Sequence, residues 1–128
     1  MGRKTYEIIS PDYLPIKEGG TLAVLTHRTN DTASQSNVVF TDKKPKEVVA
    51  MLKERGHEQA VIIGGARTAG EFAAEGLVDE LIMVIEPFLF SAGLPLFKDV
   101  DFERQLRLQE VKKLNENTIL ARYFIDPQ

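Results

Sequence analysis

The sequence predicts an α/β fold with a mostly parallel twisted sheet, flanked by helices and ending in antiparallel strands. Three observations predict it. Residues 60–63 form an apolar run ahead of a glycine pair and a helix-forming segment, and a second apolar run, 81–85, follows. Such runs are typical of buried strands, and alternation with helices favours parallel pairing. The alternating segments 105–111 and 118–125 flank a turn at 115–117, as in an antiparallel hairpin.

Local signals place the elements of the first half. Residues 3–9 favour a short helix that ends before Ser10–Pro11, because the residue before proline avoids the helical region. Loop signals at Pro15 and Gly19–Gly20 then precede a buried strand at 21–26.

A polar stretch, 28–37, leads into a brief strand at 38–40. Asp42 is the predicted N-cap of a helix over 44–55, and Gly56 lies where a helix commonly ends.

The unit around the glycine pair is the best defined. We predict a strand buried on both faces at 60–63, a turn at Gly64–Gly65, and a helix that begins at the capping-box sequence 68–71 and ends at Gly76. Pro87 stops the strand at 81–85.

Composition limits the classes of function. The 128 residues form one domain, 43% hydrophobic and 27% charged, and the net charge of −3 gives no basic surface for nucleic acid or an anionic membrane. The apolar runs are too short to span a membrane, and the start lacks a signal-peptide pattern. Cysteine is absent, and His27 and His57 lack acidic neighbours at ligand spacing, so we expect no metal site. A cytoplasmic protein is the default expectation.

Three segments carry residues suited to a phosphate. Backbone N–H groups at Gly64–Gly65, ahead of a helix, favour an anion such as pyrophosphate, although the sequence does not match the G-x-G-x-x-G spacing. The segment 2–5 offers a small residue, two cations and a hydroxyl, and arginine binds phosphate bidentately. The segment 26–28 offers a hydroxyl, an imidazole and a guanidinium that suit an adenosine 2′-phosphate. Each segment also has a structural interpretation that needs no ligand: a tight turn for Gly64–Gly65, a solvated basic helix start for 2–5, and an exposed strand end for 26–28.

Other polar residues suggest no catalytic chemistry. Asp79 and Glu80 are adjacent at the start of a strand, where side chains point to opposite faces, so we expect a structural role rather than an acid–base pair. Glu86, at a strand end, is a better functional candidate, although Pro87 favours a terminating role. Ser91 lies in an ordinary loop, and nothing indicates covalent catalysis. We assign no catalytic residue.

Together, the segments Met1–Glu7 and 61–68 resemble the two halves of the NADPH site of the dihydrofolate reductase superfamily. The resemblance is closest to the reductase domain of bacterial bifunctional riboflavin-biosynthesis proteins. Residues 76–81, 85–87 and 93–97 are similar to the riboflavin-reductase pattern, so the resemblance covers essentially the whole chain.

The resemblance implies a dihydrofolate-reductase-like fold and an NADPH-dependent reductase that transfers hydride to a small heterocyclic or carbonyl substrate, of the ribosylaminouracil or pterin type. In this view Gly64, Gly65 and Thr68 cradle the pyrophosphate, and Arg3 with Thr5 contacts phosphate from the other side. The cofactor-facing positions that it implies are Gly2, Arg3, Lys4, Thr5, Thr26, His27, Arg28, Gly64, Gly65, Ala66, Arg67 and Thr68.

The chain departs from the family pattern in two places. Riboflavin-pathway reductases usually have a glutamate before the glycine pair, where this chain has Ile63, which favours other dihydrofolate-reductase-like members. The family also begins with a strand, a helix and a second strand ahead of the segment that matches 1–5, and the first of these strands lies between those matching 60–63 and 81–85. We therefore expect a chain that lacks this part and that forms a homodimer or other oligomer, or has a sheet rearranged at this seam.

Three alternatives stay open from the sequence. The chain is a nucleotide-binding or structural remnant without catalysis, a subunit completed by a strand from a partner, or an α/β interaction module unrelated to reductases. A misassigned start codon is a further explanation for the short amino-terminal part.

Overall fold

A computed structural model describes residues 1–9, 18–31 and 35–126. Three helices and five strands occur in this part of the chain. In chain order they are α1 (Arg3–Ile9), β1 (Leu22–Leu25), β2 (Val38–Thr41), α2 (Pro45–Glu54), α3 (Ala66–Ala74), β3 (Glu80–Ile85), β4 (Leu106–Lys113) and β5 (Ile119–Ile125).

The strands form two separate sheets. β1 and β2 pair in parallel, with Leu22 opposite Val38 and Leu25 opposite Thr41. β3, β5 and β4 form an antiparallel sheet in that spatial order, and a register shift between Leu108 and Glu110 interrupts the β4–β5 ladder. The predicted α/β class, with parallel strands first and an antiparallel hairpin last, is confirmed. The prediction of a mostly parallel sheet is wrong for the described residues, because β1 and β2 pair in parallel whereas the other two pairings are antiparallel.

The hairpin turn follows from one asparagine. The Asn115 side-chain oxygen accepts hydrogen bonds from the backbone N–H groups of Asn117 and Thr118, each at 2.9 Å. An asparagine side chain that binds the backbone two and three residues ahead stabilises a turn. The predicted turn at 115–117 is therefore confirmed.

The buried core joins β1 to the two longer helices. Ala23, Val48 and Phe72 form its centre, from β1, α2 and α3 respectively. Partly buried apolar residues pack around them: Leu25, Val49, Met51, Leu52, Ile62, Leu77 and Val78. This packing fixes both helices against the β1 side of the molecule.

Both longer helices begin at a different residue from the prediction. Helix α2 starts at Pro45 with Lys44 as its N-cap, and the Lys44 N–H donates to the Glu47 carboxylate at 2.9 Å, so Asp42 as N-cap is wrong. Proline suits the first helical position because its φ is already helical and it has no N–H to leave unpaired.

Helix α3 starts at Ala66 with Gly65 as its N-cap, so Thr68 lies inside the helix rather than at its cap. The carboxyl ends agree with prediction: Gly56 and Gly76, at φ +84° and +69°, follow the caps of α2 and α3.

The predicted strand at 60–63 is wrong. These residues belong to neither sheet, and the side chains of Val61 and Ile63 are 82% and 50% exposed. An apolar run becomes a strand only when a neighbour satisfies its backbone groups. In the described part of the chain this segment and β3 do not pair, and the apolar residues Ile82, Val84 and Ile85 of β3 are also about half exposed. The sheet is therefore divided between residues 60–63 and β3, which is the place where the sequence predicts a missing strand.

Two predicted features, the helix stop at Ser10–Pro11 and the loop at Pro15, lie outside the described residues, as do residues 32–34 of the polar stretch. Among the helices of the described segments, none is long and apolar enough to cross a membrane.

Candidate functional site

The structure brings the two glycine-containing segments together. The Gly2 N–H donates a hydrogen bond to the Gly64 carbonyl at 3.1 Å, and Gly2 forms a parallel bridge with Leu25 of β1. The start of the chain therefore lies between β1 and the glycine turn. Gly64 has φ +107°, a conformation that favours glycine, and the Gly64–Gly65 peptide bond is cis.

Glycines allow the two segments to approach each other closely. A Cβ added to Gly2 would lie 2.8 Å from Thr68 Oγ1, and one added to Gly65 would lie 3.1 Å from Thr5 Oγ1. The two threonine hydroxyls thus approach the backbone of the opposite segment. Any side chain at either glycine would occupy the space beside these hydroxyls.

Backbone N–H donors lie beside the cluster that Gly2, Thr5, Gly65 and Thr68 form. Helix α3 begins directly after Gly65, and its first intrahelical bond runs from the Ala69 N–H to the Gly65 carbonyl at 2.9 Å. The N–H groups of the preceding positions, Ala66 to Thr68, have no intrahelical acceptor in such a helix. They and the two threonine hydroxyls suit the oxygens of an anion.

Arg3 is held by acidic and aromatic neighbours. Its guanidinium pairs with Glu7 at 2.7 Å and with Asp31, and it lies 4.9 Å from the centre of the Phe40 ring. The hydrogen bond to Glu7, followed by the contact with Asp31, raises the pKa of Arg3 above its already high value. Because both ion pairs are partly exposed, each contributes little, and a phosphate can replace either carboxylate at low cost.

The segment 26–28 follows β1 at the same end of the sheet as Gly2. The Thr26 N–H donates to the Thr41 carbonyl at 2.8 Å, and Thr26 Oγ1 accepts from the Arg28 N–H at 3.1 Å. The side chains of His27 and Arg28 are exposed. The loop geometry therefore fixes Thr26, whereas the two basic side chains face solvent.

The remaining predicted positions lie at the edges of the cluster. Lys4 is exposed on α1. Arg67 is also exposed, and it lies 3.7 Å from the Glu71 carboxylate and 3.8 Å from that of Asp99, so it faces the 98–100 loop. The Ala66 carbonyl accepts from the Lys98 N–H at 3.1 Å and ties that loop to the start of α3.

Sequence reasoning missed Asp31, Phe40 and Glu7 as the surroundings of Arg3. The i,i+4 spacing of Arg3 and Glu7 on a helix was a usable signal. Asp31 and Phe40 are distant in sequence, and only the parallel pairing of β1 with β2 brings them to Arg3. Tyr6 adds an edge-to-face contact with Phe40, with ring centres 5.5 Å apart.

The acidic residues at the ends of β3 have structural partners. Glu80 pairs with Arg122 at 3.1 Å, the Asp79 carbonyl accepts from the Ile125 N–H at 2.9 Å, and Glu86 accepts from the buried Thr118 hydroxyl at 2.8 Å. Each partner belongs to β5 or its turn, which agrees with the predicted structural role of Glu80, whereas the bond at Asp79 is made by its backbone. Within residues 1–9, 18–31 and 35–126, no group of acidic, histidine or cysteine side chains is placed to hold a metal.

A cleft opens beside the cluster. Its volume is about 410 Å³, and it extends from Met1 along β1 on one side and along residues 59–63 on the other. Helices α2 and α3 form its floor through Val48, Leu52 and Phe72.

Comparison of the sequence with known families identifies the family of this chain. Residues 9–120 match the sequence model of the RibD C-terminal domain. The chain belongs to the RibD C-terminal domain family. This establishes a relationship to reductases and agrees with the resemblance drawn from the sequence. The match begins after the segment that contains Gly2 to Thr5.

Individual relatives agree with this assignment. The chain is 29% identical over 119 residues to the uncharacterized protein YwjB of Bacillus subtilis (strain 168), and the match covers 91% of this chain and 67% of YwjB.

Two solved structures share the fold. One is a candidate riboflavin biosynthesis protein from Shewanella sp. PV-4, with a TM-score of 0.83, 21% identity, and coverage of 98% of this chain and 72% of that one. The other is a pyrimidine reductase-like protein from Corynebacterium diphtheriae NCTC, with a TM-score of 0.64, 21% identity, and coverage of 97% and 56%. These likenesses confirm the fold class.

Proposed function

We propose that this chain binds NADPH through the cluster around Gly2 and Gly64–Gly65 and acts as a reductase of a small heterocyclic or carbonyl compound. The observation that carries the proposal is the meeting of Gly2, Thr5, Gly65 and Thr68, with the N–H groups of the first turn of α3 beside them, in a chain of a reductase-related family. A ribosylaminouracil-type or pterin-like substrate agrees with the riboflavin relationship.

The residues present fit a pyrophosphate. Because Gly2 and Gly65 have no side chains, their backbones lie close to the hydroxyls of Thr68 and Thr5, and these groups together would contact the phosphate oxygens. The N–H groups at the start of α3 would donate to those oxygens, and the helix dipole favours their negative charge. Bound NADPH would supply the hydride, and the role of this chain is to hold and orient it.

The 2′-phosphate is assigned to the cations near the end of β1. Arg3 would exchange Asp31 or Glu7 for phosphate, and His27 and Arg28 are exposed on the neighbouring loop. The Phe40 ring, 4.9 Å from the guanidinium carbon of Arg3, would keep the guanidinium near this position during such an exchange. We propose a cytoplasmic location for this reaction.

A second candidate function is nucleotide binding without catalysis. The observation that favours it is the segment 60–63, which leads into the glycine turn outside any sheet and exposes Val61 and Ile63. A turn held on one side only would bind a nucleotide without fixing its reactive end.

The test is a titration of NADPH into the 128-residue chain, with NADH as the control. Cofactor fluorescence is a clean signal because the chain has no tryptophan. Micromolar binding that favours NADPH supports the proposal. Absence of binding to both cofactors by the folded chain contradicts it, and binding without turnover of any pterin or aminopyrimidine supports the second candidate.

A further inference from the structure

The Arg3 guanidinium has three neighbours, and one of them lies outside the helices and strands. Glu7 follows one turn later on α1, with its carboxylate 2.7 Å from Arg3 Nε, and the Phe40 ring of β2 has its centre 4.9 Å from the guanidinium carbon. Asp31, whose carboxylate contacts Arg3 Nη1, belongs to the loop after β1. Arg3 would therefore keep two of these contacts if the Asp31 carboxylate moved away or lost its charge.

Asp31 and a cofactor 2′-phosphate would compete for this guanidinium. The side chains of Arg3 and Asp31 are 24% and 39% exposed, so an anion from solvent can reach the pair. A phosphate monoester carries about −1.5 to −2 charges at pH 7. A carboxylate that stayed beside Arg3 would repel it, since like charges at contact distance oppose each other. The Asp31 carboxylate therefore opposes the binding of a 2′-phosphate at Arg3.

A ribose without that phosphate would meet Asp31 differently. Its free 2′-hydroxyl can donate a hydrogen bond, and an ionised carboxylate accepts. In doubly wound α/β folds an acidic side chain receives this hydroxyl, whereas an arginine accommodates the 2′-phosphate. Here Arg3 and Asp31 place both kinds of group side by side. The ribose of NADH would leave the ion pair intact, whereas the 2′-phosphate of NADPH would have to break it.

We propose that Asp31 sets the cofactor preference of this chain: its carboxylate pairs with Arg3, accepts a hydrogen bond from a free ribose 2′-hydroxyl, and lowers the affinity for a 2′-phosphate. The inference rests on the proposed function, because it places the adenosine ribose beside Arg3. Asp31 is then a specificity-determining residue that acts on the arginine next to it. Removal of its charge should shift the preference of the chain toward NADPH.

The experiment compares Asp31→Asn with the unchanged chain in fluorescence titrations of NADPH and NADH. Asparagine keeps the size of the side chain and an acceptor oxygen but removes the charge. We expect NADPH to bind about tenfold more tightly, because the ion pair and the charge repulsion both disappear, and NADH binding to change by less than about twofold. An equal change for both cofactors, or weaker binding of NADPH, overturns the proposal.

Asp99→Asn is the matched control. The Asp99 carboxylate lies 3.8 Å from Arg67 at the start of α3, so it is a second acidic loop residue that faces an arginine. Its φ is +62°, a conformation that asparagine also adopts, so the variant removes one negative charge without new backbone strain. Both cofactors should change in affinity by the same factor, because they share the pyrophosphate. A shift in preference as large as that of Asp31→Asn would indicate a general charge effect and overturn the proposal.

Two fragments of the cofactor separate this inference from the proposed function. Adenosine 2′,5′-bisphosphate and adenosine 5′-monophosphate differ only in the 2′-phosphate, and neither contains nicotinamide. In calorimetric titrations Asp31→Asn should strengthen binding of the bisphosphate alone. If neither the unchanged chain nor the variant binds any cofactor or fragment, the proposed function fails and this inference fails with it. If both chains bind with the same preference for the 2′-phosphate, only the assignment to Asp31 fails.

Discussion

The backbone N–H of Gly2 donates to the carbonyl of Gly64 at 3.1 Å, and this bond joins the start of the chain to the glycine turn near its middle. Gly2 also borders the Thr68 hydroxyl, and Gly64 is followed by Gly65, the N-cap of α3. The candidate site depends on this close approach of two backbones.

Gly2→Ala should therefore disturb the junction. The new Cβ would lie 2.8 Å from Thr68 Oγ1 in a buried position, and overpacking of this kind costs about 1–3 kcal/mol. Urea unfolding should show this loss. The double variant with Thr68→Ala removes the obstructing hydroxyl and should regain part of the lost free energy of unfolding. A double-mutant cycle measures this recovery. Gly93→Ala is the control, because no atom lies within 4 Å of its Cβ position. Additive losses would contradict the contact.

Gly70→Ala tests how the 98–100 loop packs on α3. Alanine in a helix interior stabilises by about 1 kcal/mol relative to glycine. Here the Cβ would meet Val100 Cγ2 at 2.8 Å and the Lys98 carbonyl at 3.1 Å, so we expect a net loss of about 1–2 kcal/mol. Val100→Ala in the same chain should reduce that loss. A Gly70→Ala chain that is more stable in thermal unfolding would show that the 98–100 loop moves aside without a net loss of stability.

Arg3→Ala should weaken NADPH binding more than NADH binding if Arg3 contacts the 2′-phosphate. A charge-assisted hydrogen bond contributes about 1.5–3 kcal/mol, which corresponds to at least a tenfold difference between the cofactors. Fluorescence titration measures both affinities. Arg107→Ala, which removes an exposed arginine on β4, is the control. Equal weakening of both cofactors would remove the assignment.

The buried amino terminus makes stability depend on pH. Burial lowers the pKa of the Met1 amine below its ordinary 8.0, so the unfolded chain binds more protons than the folded one. The free energy of unfolding should therefore rise as pH increases from the lowered folded pKa toward 8.0, and level off above it. Urea unfolding across this range measures the slope. An N-acetylated chain, which lacks the amine, should show a smaller slope, and an identical slope would contradict the effect.

The elements predicted correctly are those set by local chemistry. Gly56 and Gly76 end helices because their positive φ angles suit glycine, and Asn115 makes its turn with its own side chain. The start of α2 is also set locally, but by Pro45 rather than by the predicted cap Asp42, so a local signal alone did not secure that boundary. In each case the deciding interaction spans only a few residues.

The elements predicted wrongly depend on distant neighbours. Residues 60–63 have the composition of a buried strand, but strand formation requires partners on either side, which composition does not specify. Likewise, the sequence indicated that Arg3 and Gly65 belong to one site, whereas the acidic neighbour Asp31 follows only from the path of the chain after β1.

Amide hydrogen exchange with and without saturating NADPH tests the central claim most directly. The claim is that the segments 2–5 and 65–68 form one phosphate site. We predict slower exchange in both segments on addition of NADPH, and smaller changes with NADH. Protection of only one segment, or of neither while the cofactor is bound, would contradict the account.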